Sequence, residues 1–141
     1  MQIMTEPAWR DFVMTGTRTG KLAVTRRDGR PHVTAVWFVL DGGDVVFTTP
    51  ADSVKGRVLR REGQAMLCVD DQQPPYSFVL IEGPVSVSED PGELLHWAGV
   101  IGGRYMGASR AAEYGERNGV PGELLVRLRI AAVVARAGIA D

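Results

Sequence analysis

The apolar positions follow two rhythms. Behind Thr5-Glu6-Pro7, a capping hydroxyl and an early proline, Ala8, Trp9, Phe12 and Val13 fall on one helical face. This predicts a helix ending near Gly16. Alternation then takes over. A short strand is predicted over Lys21 to Arg27, with a turn at Asp28-Gly29, where glycine accepts positive φ. The return strand runs from Pro31 to Leu40. Asp41-Gly42-Gly43-Asp44 predicts a second hairpin, and Val45 to Thr49 a third strand. Ser53 is placed to cap a helix starting at Val54. Ala65 to Asp70 reads as a fourth strand, and Gln72-Gln73-Pro74-Pro75 as a turn or extended loop. Tyr76 to Ser88 reads as a long fifth strand with a bend at Gly83-Pro84. Pro91 to about Arg117 is helical in pattern but dense in glycine, which predicts two short helices broken near Gly107. Leu124 to Ala135 is the last strand, with Arg127 and Arg129 alternating with Val126, Leu128 and Ile130. Six mostly antiparallel strands with a few short helices predict a mainly β single domain over residues 1–141, closed as a small barrel.

Two strands are apolar on both faces. Val33, Ala35, Trp37 and Val39 alternate with His32, Thr34, Val36 and Phe38, and Val79 and Ile81 alternate with Phe78 and Leu80. A barrel core covers one face only, and an antiparallel sheet usually turns a polar face to water. The second face therefore calls for a helix, a flat ligand or a partner subunit, and a homodimer is the expected cover.

Composition changes this picture little. The chain has 141 residues, 45% hydrophobic and 23% charged, with a formal net charge of −1. Nothing in that balance calls for nucleic acid or a membrane surface as a partner. Anion binding, if present, must come from a local cluster. Cys68 is the only cysteine, which excludes an intramolecular disulfide and a thiolate metal cluster, so no metal site is expected. The start, MQIMTEPAWRDF, lacks a basic segment followed by an apolar run, and the expected location is the cytoplasm.

One local cluster stands out in FTTPADSVKGRVLRR, Phe47 to Arg61. Helix N-termini prefer acids, yet this one carries Lys55 and Arg57 at its start. With Ser53 as cap, Val54, Val58 and Leu59 share an apolar arc, and Lys55 lies inside it. Beside Thr48, Thr49 and Ser53, that placement offers an ammonium, hydroxyls and free amides to an anion. A purely structural arrangement has equal standing. Asp52 is placed to pair with Lys55, and Arg60 and Arg61 sit where helix C-termini favour cations. No P-loop or dinucleotide fingerprint is present.

The blocks TGTRTGKLAVTRRDGRPHVTAVWFVLDG, VVFTTPADSVKGRVLRR, LCVDDQQPPYSFVLIEG, RYMGA and VPGELLVR, in this order and spacing, resemble the pyridoxamine-phosphate-oxidase-like split β-barrel superfamily. Within it, the chain looks most like the B group of actinobacterial flavin/deazaflavin oxidoreductases. The resemblance implies a six-stranded antiparallel split β-barrel that dimerises around a flat isoalloxazine-type ring. It implies ring contacts from the strand Val33 to Phe38, chiefly Val33, Thr34, Ala35 and Val36, and a phosphate site at Thr48, Thr49, Ser53 and Lys55 with Arg57, Arg60 or Arg61 nearby. The partner subunit's share would come from Pro75, Tyr76 and Phe78. The implied cofactor is the deazaflavin coenzyme F-420, with FMN as the alternative, and the implied activity is hydride transfer to an electron-poor double bond of a small organic substrate. A non-catalytic deazaflavin- or haem-binding protein is the competing class. Relatives commonly carry asparagine where this chain has Val58. No acid–base pair is legible, so the catalytic residues stay unknown. Lys21, Tyr76 and Tyr105 are the available donors, and Arg104, Arg127 and Arg129 the available partners for an acidic group.

Overall fold

The computed structural model describes all residues, 1–141. After a two-residue strand β1 (Gln2–Ile3), helix α1 (Glu6–Met14) starts where Thr5 accepts a hydrogen bond from the Ala8 amide, and it buries Trp9 and Val13. Strands β2 (Gly20–Thr25) and β3 (Pro31–Val36) form the first hairpin, with Gly29 at φ 86° in its turn. Strands β4 (Val39–Asp41) and β5 (Asp44–Pro50) form the second. Helix α2 (Val54–Glu62) is followed by β6 (Gln64–Asp71) and the twelve-residue β7 (Ser77–Ser88). Helix α3 (Pro91–Met106), a 3-10 turn at Ala108–Arg110 and helix α4 (Ala111–Asn118) precede β8 (Glu123–Arg129) and β9 (Ala132–Ala137).

All strand pairs are antiparallel. Seven strands run in the order β3-β2-β6-β7-β8-β5-β4, and β9 pairs with β7 and β1. The two ends of this path, β3 and β4, are separated in the chain by Trp37 and Phe38 alone. Two residues span only about 7 Å, so the sheet must curl until its ends meet. The expected count of six strands is therefore corrected. The single strand read over Pro31 to Leu40 is two strands at opposite edges of the curl. The strand read over Leu124 to Ala135 is also two, because Ile130 and Ala131 turn their amides to Gly43 and Glu82. β1 adds a further short strand. β7 keeps its length but changes partner at Gly83-Pro84, from β9 to β8. A Cβ on Gly83 would lie 1.8 Å from the Arg129 carbonyl oxygen, so only glycine allows this crossing.

The interior of the curl is one apolar cluster that includes Phe38, Phe47, Leu67, Ile81, Leu124 and Leu128. A second, smaller core lies outside it, where Val39, Val46 and Leu125 meet Leu94 and Ile101 of α3. Helices α3 and α4 pack closely because Gly102 faces Tyr114. A Cβ there would come within 2.2 Å of the tyrosine's own.

Candidate functional site

The end of β5 and the start of α2 build the site. A Cβ on Gly56 would lie 2.2 Å from the Pro50 carbonyl oxygen, so glycine lets the helix begin directly against the strand. The Ser53 hydroxyl donates to the Pro50 carbonyl at 2.8 Å and accepts from the Gly56 amide at 3.0 Å. Its proton being spent, the 3.2 Å contact with Thr49 must be donated by Thr49. Both hydroxyls are thus committed to the turn. What remains free is the Thr48 hydroxyl, the Lys55 ammonium and the amides of Val54 and Lys55, which lack partners at the helix start.

Thr48 and Lys55 border a cavity of about 310 Å³, together with Ala35 and Val36 of β3 and Glu123. Trp37, with Ala98 and Ile101 of α3 and Asn118 of α4, completes the wall. The Trp37 ring stacks on Tyr105 at 5.0 Å and 7°, and leans on Tyr114. Lys55 makes no ion pair with Asp52. The nearby acid that matters is Glu123, brought opposite Pro50 by the β5–β8 register. Burial pushes the Glu123 carboxyl above its ordinary range, Lys55 opposes that and Asp52 adds to it. The cavity thus offers one cation, the Lys55 amide, the Thr48 hydroxyl and one carboxyl less inclined to ionise than usual.

β3 is an edge strand of the sheet path, and an edge leaves a row of backbone N–H and C=O groups unpaired. Val33 and Ala35 are exposed on its outer face, Val33 to 59%. Thr34 points inward with Val36, and its hydroxyl is buried without a partner. No three His, Cys, Asp or Glu side chains converge as a metal site.

The sequence profile of the pyridoxamine 5′-phosphate oxidase family matches residues 5–136. The chain belongs to this family. Among curated proteins there is no significant match. Among solved structures, this family member is similar to a conserved hypothetical protein from Mycobacterium tuberculosis, at 27% identity and TM-score 0.82, over 94% of this chain and 84% of that one. It is similar in fold to an F-420 reductase, at 24% identity and TM-score 0.69, over 87% of this chain and 94% of that one. It is also similar in fold to the heme storage protein HutZ from Vibrio cholerae, at 19% identity and TM-score 0.73, over the full length of both.

Of the site residues expected in this family member, Ala35, Val36, Thr48, Thr49 and Lys55 border the one cavity, and Ser53 caps the helix beside it. Val33 and Thr34 lie on the adjoining edge strand. Arg60 pairs with Glu89 at 2.9 Å and Arg61 with Glu62 at 3.0 Å, away from Lys55. Pro75, Tyr76 and Phe78 do not reach the cavity of their own chain. The C-terminal tail holds that loop, through the Ile139 and Ala140 amides on the Tyr76 and Pro75 carbonyls.

Other candidate donors have structural partners. Lys21 pairs with Asp70 at 2.8 Å. Arg104 donates to the carbonyls of Val13, Gly16 and Phe38, tying α3 to the end of α1 and to the β3–β4 break. The Tyr105 hydroxyl donates to the Arg18 carbonyl at 2.9 Å and accepts from the Phe38 amide. Arg127 binds Asp41 and Asp44. Glu123 and Asn118 were not singled out from sequence as site residues, and Trp37 entered only as part of the strand Val33 to Phe38. The register that delivers Glu123 depends on which strands pair, and no local pattern carries that.

Proposed function

We propose that the chain is an oxidoreductase that binds a flavin-type cofactor between two copies of itself, with the deazaflavin coenzyme F-420 favoured and FMN as the alternative. The observation that carries this reading is the cavity that joins the edge strand β3 to the free ammonium of Lys55. The Lys55 ammonium, with its own amide at the helix start, would hold the cofactor phosphate. The unpaired backbone edge of β3 would meet the polar rim of the ring, and Val33 and Ala35 its flat face. Glu123 would accept from hydroxyls of the linking chain. When bound, the reduced cofactor supplies a hydride equivalent to an electron-poor double bond of a small organic substrate. The protein's part is to hold both reactants in register. Trp37, fixed by Tyr105, keeps the inner wall rigid.

The similarity in fold to an F-420 reductase supports the deazaflavin. Haem is a poorer fit to this cavity. His32 is engaged by Arg26 at 3.2 Å, His96 stands on an exposed position of α3, and neither lines the cavity.

Fluorescence titration of the apoprotein with F-420 and with FMN tests the reading. Tight F-420 binding that falls by about two orders of magnitude in Lys55→Ala is expected, the size of a lost charge-assisted phosphate contact. Binding of neither cofactor, or unchanged affinity in Lys55→Ala, contradicts it.

A further inference from the structure

A second basic cavity lies across α2 from Lys55. Where the tip of the β2–β3 hairpin meets the helix, Arg26 and Arg27 face Arg57 and Arg61 around an open cavity of about 370 Å³ floored by Val54 and Val58. It shares no lining residue with the Lys55 cavity.

The carboxylates at hand are already committed. Asp28, on the rim, accepts from the Arg30 amide at 3.0 Å and from its guanidinium at 2.9 Å. Glu62 is taken by Arg61. Arg26, Arg27 and Arg57 form no ion pair. Arg26 is the most telling. One of its terminal nitrogens meets the His32 ring at 3.2 Å, but its Nε is fully buried with no acceptor. A buried N–H on a cation without an acceptor is costly, and no carboxylate of the chain neutralises this guanidinium. The whole chain carries a net charge of −1, so four guanidinium groups around one cavity are not the overflow of a basic protein. Planar guanidinium forks match phosphate and carboxylate groups two bonds at a time. The free fork of Arg27 on the hairpin and that of Arg57 on the helix, with the charges of Arg26 and Arg61 beside them, suit a ligand with more than one such group.

We propose that this cavity binds a small oligoanion, a molecule carrying two or more closely spaced phosphate or carboxylate groups. The site requires neither Lys55 nor a bound cofactor, so it stands or falls apart from the function proposed above.

Calorimetric titration of the full chain at constant ionic strength provides the test, with tripolyphosphate, citrate and inorganic phosphate as probes. Tripolyphosphate or citrate is expected to bind at least about tenfold more tightly than phosphate, and the preferred one identifies the ligand's anionic group. The pair Arg27→Gln with Arg57→Gln is expected to lose about tenfold or more. Arg27→Lys with Arg57→Lys, which keeps charge but not the fork, should lose less, and Lys55→Ala should stay within about twofold. Both arginines are exposed, and an unchanged melting curve of the unliganded variants confirms that they fold. Full affinity in the double glutamine variant, an equal loss in Lys55→Ala, or no preference over inorganic phosphate would overturn the proposal.

Discussion

The outer surface of the curled sheet is treated in two ways. Over β4, β5 and β8 it is covered: Val46 and Leu125 are almost fully buried under Leu94 and Ile101 of α3. Over β3, β2, β6, β7 and β9 it is bare. One row there reads Ala35, Lys21, Cys68, Leu80 and Val134, and the next Val33, Ala23, Met66, Glu82 and Ala132. Val33 and Val134 are 59% and 43% exposed. Both halves carry apolar side chains on the outer face, with Lys21 and Glu82 among them on the bare one, but the chain supplies a helix for only one. Apolar strand faces left to water are costly and invite association. Of the two covers weighed from sequence, the helix lid accounts for the covered half, and the partner subunit is the proposed cover of the bare one. The Lys55 cavity sits at the border, walled by α3 on the covered side and by the edge strand β3 on the bare side.

Truncations break the comparison most directly. Leu94→Ala removes a side chain from the covered half and is expected to cost about 2–5 kcal/mol, at any protein concentration, in denaturant melts. Leu80→Ala on the bare half is expected to cost less in dilute solution. Its cost should grow with protein concentration, as mass action requires when the contact lies between copies. Equal, concentration-independent losses would place both faces in the monomer's own core.

The smallest expected effect concerns Glu123. Because its folded carboxyl titrates above its unfolded value, the folded state holds the proton more tightly. Its contribution to stability is therefore favourable in acid and is lost as pH rises through the raised value. Glu123→Gln should leave stability unchanged in acid, raise it slightly at neutral pH, and tighten phosphate binding at Lys55 several-fold, on the order of one lost like-charge contact. Melting curves across that pH range, paired with phosphate titration, check it. A stability gain that grows toward acid would contradict the sign.

Much of this was legible along the chain because the signals are local. Thr5 and Ser53 cap their helices, Gly29 and Gly42 turn their hairpins, and Gly107 breaks the α3–α4 segment, all where the sequence marks them. The breaks at Trp37-Phe38 and Ile130-Ala131 were not legible. Apolar alternation continues through both, and only closure of the sheet forces the chain to change edges there. The same limit applies to the site. Thr48, Thr49 and Lys55 are near neighbours in sequence. Ala35 and Glu123 arrive only once β3 and β8 are placed. The four-arginine cavity likewise needs the hairpin tip folded against α2.

The central claim is that the bare half of the sheet is an interface between two copies and that this interface completes the cofactor site. Sedimentation velocity on the wild type and on Leu80→Arg tests it most directly. The account predicts a dimer for the wild type, and for Leu80→Arg a folded monomer that has lost most of its cofactor affinity. A wild-type monomer that binds cofactor at full strength would contradict it.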